Sequence, residues 1–76
     1  MAAIELRLFA SLAVKTPPNA LEYDIEPGLS VDGLLKELKV SPEEARLVFI
    51  NGVRCNLNTL LTGGERVGIF PPVGGG

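Results

Sequence analysis

Ile4, Leu6 and Leu8 alternate with Glu5 and Arg7. This period of two predicts a half-buried strand running on into Phe9. Ala10 to Val14 is a small apolar stretch fit for one helical turn, and Thr16-Pro17-Pro18-Asn19 breaks the chain. Leu21, Tyr23 and Ile25 then alternate with Glu22 and Asp24, which predicts a second strand closed by Pro27-Gly28. Ser30 has the place of a helix N-cap. Behind it, Val31, Leu34, Leu35 and Leu38 fall at the i, i+3, i+4, i+7 spacing of an amphipathic helix. Asp32 in its first turn and Lys36 and Lys39 in its last complement the helix dipole. Gly33 weakens this helix by about 1 kcal/mol relative to alanine, for no reason visible in the sequence.

Ser41-Pro42-Glu43-Glu44 is a second start signal and predicts a single turn. Leu47-Val48-Phe49-Ile50 is expected as a buried strand. Asn51-Gly52 is a strong hairpin signal because both residues tolerate positive φ, and Val53 to Cys55 returns from it. Asn56 to Thr62 is expected as a loop with Leu57, Leu60 and Leu61 turned inward. Gly63-Gly64-Glu65 is a turn, Arg66 to Phe70 a last strand, and Pro71-Pro72 its stop. The order β-β-α-β-β-β implies an α+β domain. It is the order of the β-grasp, or ubiquitin-like, fold: a mixed sheet packed on one main helix. The expected division is a domain over residues 1–70 and a flexible tail over 71–76.

Composition narrows the chemistry. The 76 residues contain no histidine and a single cysteine, Cys55. A Cys/His zinc site, an internal disulfide and any Ser-His or Cys-His catalytic pair are thereby excluded. Cys55 is expected as a small half-buried residue rather than a nucleophile. The net charge of -2 and the pI near 4.9 argue against a nucleic-acid partner. No apolar run approaches the ~20 residues of a membrane span, and the N-terminus lacks the pattern of a signal peptide. A cytoplasmic, non-enzymatic protein is the expectation.

The most unusual feature is the ending Phe70-Pro71-Pro72-Val73-Gly74-Gly75-Gly76. Glycines have no side chains to pack, but they make a narrow peptide that can enter a channel closed to any side chain. Pro71-Pro72 cannot return to a ladder and favours an extended path. Six residues then reach roughly 20 Å from the body. The Gly76 carboxylate is the candidate working group, with chemistry performed on it by another protein. A frayed end is the bland alternative. Phe9 and Phe70 each fall opposite the inward-facing residues of their strands, so they are candidates for an exposed apolar patch.

Taken together, Arg7-Leu8-Phe9-Ala10-Ser11-Leu12, the Asn51-Gly52 hairpin, the Gly64 to Val67 turn-to-strand and the Phe70 to Gly76 ending resemble the MoaD/ThiS-type ubiquitin-like sulfur carriers. The likeness covers essentially the whole chain and is strongest to the small subunit of molybdopterin synthase. The thiamin sulfur carrier is a close relative. The resemblance implies that an activating enzyme of the E1 type uses ATP and magnesium to adenylate Gly76. A sulfur donor protein then leaves a thiocarboxylate there. The large catalytic subunit of molybdopterin synthase accepts the tail and passes the sulfur to a pterin precursor. Gly75 and Gly76 match the terminal diglycine. Phe9, Phe70, Pro71, Pro72, Val73 and Gly74 fall where the family meets its partners. The carrier itself binds no cofactor. One departure is Gly74, where molybdopterin carriers often hold another small residue, and a triple glycine also occurs in the thiamin relatives. A protein modifier of ubiquitin type and an inert interaction module are the rivals from other classes.

Overall fold

The computed structural model describes residues 2–72. Seven strands form: β1 (Ala2–Leu8), β2 (Tyr23–Ile25), β3 (Leu29–Ser30), β4 (Leu47–Ile50), β5 (Val53–Cys55), β6 (Leu60–Leu61) and β7 (Arg66–Phe70). The helix α1 spans Val31–Leu38, and short 3-10 helices cover Ala10–Lys15 and Ala20–Glu22. The main sheet has the order β2-β1-β7-β4-β5, and β3 and β6 make a separate pair. The central strands β1 and β7 run parallel, whereas β1–β2, β7–β4 and β4–β5 are antiparallel. This is the β-grasp expected from the element order.

One face of the sheet meets the helix. Ile4, Leu6 and Leu8 on β1, Val48 on β4 and Val67 and Ile69 on β7 are buried, as are Val31, Leu34, Leu35 and Leu38 of α1. Burying each of these large aliphatic side chains contributes about 1.5–3 kcal/mol. The core is aliphatic throughout, and none of its members is polar. Ser30 caps α1 by accepting the Gly33 N–H on Oγ at 3.0 Å, an interaction worth about 1 kcal/mol. A Cβ at Gly33 would stand 2.8 Å from Cδ1 of Leu29, a contact that a small shift of that leucine side chain relieves. At the other end Lys39 turns left-handed at φ 60. Lys15 Nζ donates to the Lys39 carbonyl at 2.7 Å and so fastens the first 3-10 helix to the end of α1. Ser41 and Glu44 form a reciprocal capping box, with Ser41 N–H donating to Glu44 at 3.0 Å and Glu44 N–H donating to Ser41 Oγ at 3.3 Å.

Four expectations are corrected. The first strand ends at Leu8, although Phe9 N–H still donates to the Ile69 carbonyl at 3.1 Å. The second strand starts only at Tyr23, because Ala20–Glu22 winds into a 3-10 turn and leaves Leu21 exposed. Leu47–Ile50 is not buried throughout: Val48 is buried and Ile50 packs half-buried against the core, while Leu47 and Phe49 fall on the other side of the strand. Leu60 points outward at 60% exposure, while its neighbour Leu61 is fully buried. Strand alternation in β6, which pairs Leu60 with Ser30 and Leu61 with Leu29, forces the two leucines to opposite sides. The hairpin holds: Asn51 and Gly52 sit at φ 53 and φ 83, both left-handed as a tight I′ turn demands. Among the described residues no helix is long and apolar enough to cross a membrane.

Candidate functional site

Alternation leaves the other sheet face open. On β7, Arg66, Gly68 and Phe70 point away from the helix, opposite the buried Val67 and Ile69. Glu5 and Arg7 do the same on β1. Ladder register then sets the rows. Gly68 is paired with Arg7 on one side and Phe49 on the other, and Phe49 is paired with Arg54. Glu5 stands beside Arg66.

Phe9 and Phe70 are the two sequence candidates that the described residues bring together. Their rings stack, with centroids 4.3 Å apart and planes at 4°. Phe49 closes the group edge-on to Phe70, at 5.5 Å and 81°. Phe9 is 38% exposed and Phe70 half-buried, so the pair lies on the surface rather than in the core. The strand leading to Phe70 passes directly into Pro71 and Pro72, neither of which belongs to a strand. The aromatic group therefore sits at the root of the glycine tail. Val73, Gly74, Gly75 and Gly76 lie outside the described residues.

Phe49 was hidden in an apolar run. Its signal is the inward-facing Val48, which by alternation sends Phe49 to the outer face. Gly68 was missed as well. A Cβ at Gly68 would meet Cε1 of Phe70 and Cε2 of Phe9 at 3.5 Å each, an ordinary contact. Glycine is thus not required there by sterics. Its effect is to leave a hollow in the middle of the sheet. The hollow is an open concavity of about 500 Å³, bounded by the aromatic group, Arg7, Arg66 and Gly68. Its floor is backbone and its walls are rings on one side and charge on the other.

The β1–β7 pair that carries this face is anchored at its start by a turn. Gly63 and Gly64 hold φ 124 and φ 84, and Gly64 N–H donates to the Ala3 carbonyl at 2.7 Å. The Glu65 carboxylate accepts from the Thr62 N–H at 2.9 Å, the Gly63 N–H at 2.7 Å and the Thr62 hydroxyl at 3.1 Å. Partial burial raises its pKa, but the hydrogen bonds from Thr62 and Gly63 outweigh this and hold it below the usual carboxylate range. Cys55 is half-buried on β5, and its thiol donates to the Val53 carbonyl at 3.3 Å. No cluster of metal-ligating side chains occurs among the described residues.

Known proteins share this architecture. The crystal structure of SAMP1 from Haloferax volcanii superposes with a TM-score of 0.71 at 26% identity, covering 99% of this chain and 100% of that one. A second crystal structure, of small archaeal modifier protein 1 from the same organism, gives 0.72 at 26% identity over 96% and 100% of the two chains. A Pyrococcus furiosus protein assigned as molybdopterin converting factor subunit 1 gives 0.68 at 19% identity over 96% and 100%, a likeness of fold alone. No curated protein matches the chain. The model of the ThiS family matches residues 6–76, which takes in both the aromatic group and the glycines. The chain belongs to the ThiS family.

Proposed function

We propose that this protein is a sulfur carrier that works as the small, non-catalytic subunit of a molybdopterin synthase. The supporting observation is the surface aromatic group Phe9–Phe70–Phe49 at the root of a tail ending in Gly75-Gly76. The domain is a handle by which partners grip, and the tail is the part on which they act. At neutral pH the Gly76 carboxyl is ionised, its pKa being near ~3.5. A carboxylate repels nucleophiles, so it must first become a mixed anhydride. An activating enzyme of E1 type supplies ATP and magnesium for that step, and a sulfur donor protein displaces AMP to leave the thiocarboxylate. Pro71 and Pro72 keep the tail out of the sheet and aim it into the partner's channel. The large synthase subunit then takes the sulfur for the pterin. Sulfur delivery to the thiamin thiazole uses the same chemistry with a different acceptor.

The likeness to SAMP1 favours a second reading, in which the glycine tail is joined to lysines of target proteins. One experiment separates them. The protein is incubated with the activating enzyme of its own organism, ATP and a sulfur donor, then analysed by intact mass spectrometry with fragmentation. A sulfur-for-oxygen mass increase at Gly76 is the result expected of a carrier. Isopeptide-linked ladders in lysate with ATP identify a modifier. Sulfur located on Cys55 overturns the C-terminal mechanism.

A further inference from the structure

The outer face is not only aromatic. Three of the chain's four arginines, Arg7, Arg54 and Arg66, stand on it, although the whole protein carries a net charge of -2. Glu5 neutralises one of them, with Arg7 Nε donating to its carboxylate at 2.8 Å. Arg54 and Arg66 are exposed and have no ion pair among the described residues. Strand spacing places these charges around Gly68. Arg7 lies about 5 Å to one side and Arg54 about 10 Å to the other, backbone to backbone. Arg66 lies two residues back along β7, about 7 Å away.

We propose that this face docks a protein whose contact surface carries one aliphatic anchor flanked by carboxylates. The anchor seats over Gly68, against the rings of Phe9, Phe49 and Phe70, and the carboxylates face Arg54 and Arg66. The proposal rests on the carrier reading above and names the partner chemistry of the same site. A second copy of this chain is a poor occupant, because it would set arginines against arginines. A nucleic acid is disfavoured by the Glu5 carboxylate on the same face and by the acidic remainder of the molecule. Complementary charge of this kind governs encounter and partner choice more than the strength of the final contact.

The test compares the wild-type chain with the Arg54→Glu/Arg66→Glu double variant as substrates of the activating enzyme, at low and high salt. The variant is expected to melt at the wild-type temperature and to keep kcat. Its kcat/KM is expected to fall about tenfold at ~0.05 M salt. The deficit should shrink to within about twofold at ~0.5 M, where the charges are screened. Equal kcat/KM for the two chains at both salt concentrations would overturn the arginine rim while leaving the carrier function intact. A deficit that does not shrink with salt overturns it too, because that is the signature of a shape defect. A wild-type chain that gains no sulfur overturns the function and this reading with it. Binding of a single-stranded oligonucleotide by the wild-type chain, lost in the variant, would overturn the protein-partner assignment.

Discussion

Stacking between Phe9 and Phe70 can be measured as a coupling energy. The structure gives a parallel pair at 4.3 Å on a half-exposed face, where an aromatic pair is worth about 0.5–1.5 kcal/mol beyond area burial. Phe70→Ala removes this contact and the edge contact to Phe49, so it is expected to cost about 2 kcal/mol. That is less than the ~3–5 kcal/mol of a phenylalanine lost from a core. For a domain of this size it corresponds to a drop of about 8–16 °C in Tm. Phe9→Ala should cost less, because Phe9 is the more exposed of the two. In the double variant the two losses should fall short of additivity by about 1 kcal/mol. Urea unfolding of the four proteins gives the cycle. A coupling within about 0.3 kcal/mol of zero would show that the rings do not stack in solution. A cost above ~4 kcal/mol for Phe70→Ala alone would show that Phe70 serves the core, and the surface platform would be lost with it.

Other outcomes follow from other parts of the molecule. Gly63→Ala should destabilise by about 2–4 kcal/mol, because Gly63 sits at φ 124 and a Cβ would lie 2.6 Å from the Cβ of Ala2; a change in Tm below about 3 °C would contradict this packing. Tyr23 is the single tyrosine, so ultraviolet titration reports on it alone. Burial first, and then its hydrogen bond and charge contact with Glu37, push its pKa from 10.0 to about 12. The neutral form is favoured in the folded state, so the contribution of Tyr23 is complete below pH 10.0 and is lost as pH rises towards about 12. A midpoint near 10.0 in the folded protein would refute the contact. Gly75→Val should leave Tm within the range of surface changes, about 0.5 kcal/mol in stability, yet abolish sulfur transfer by blocking a channel sized for backbone. Wild-type transfer by that variant would make the glycines a mere end.

Much of the fold is written in local pattern. The alternation of Ile4, Leu6 and Leu8, the stripe Val31, Leu34, Leu35 and Leu38, the Ser30 cap and the Asn51-Gly52 turn each depend on residues within a few positions of one another. Their physics is the geometry of a single strand, helix or turn, and so it is legible in one dimension. The glycine tail and the pair Phe9 and Phe70 were legible for the same reason, as features of type and phase. What required the tertiary structure is what joins distant segments. The parallel pairing of β1 with β7 brings Phe9 against Phe70 across most of the chain's length. β3 and β6 are each two residues long; so short a strand has no period to read, and Leu60 could be placed outside only once Ser30 was found beside it. Phe49 lay in an unbroken apolar run, where alternation is invisible until Val48 is seen in the core. Gly33 and Gly68 carry no side-chain signal at all, and only their neighbours, Leu29 in one case and the rings of Phe9 and Phe70 in the other, show what a Cβ there would meet. Local sequence determines which surface each element presents. Which surfaces meet, and which one is left open, is decided by pairing between segments far apart in the chain.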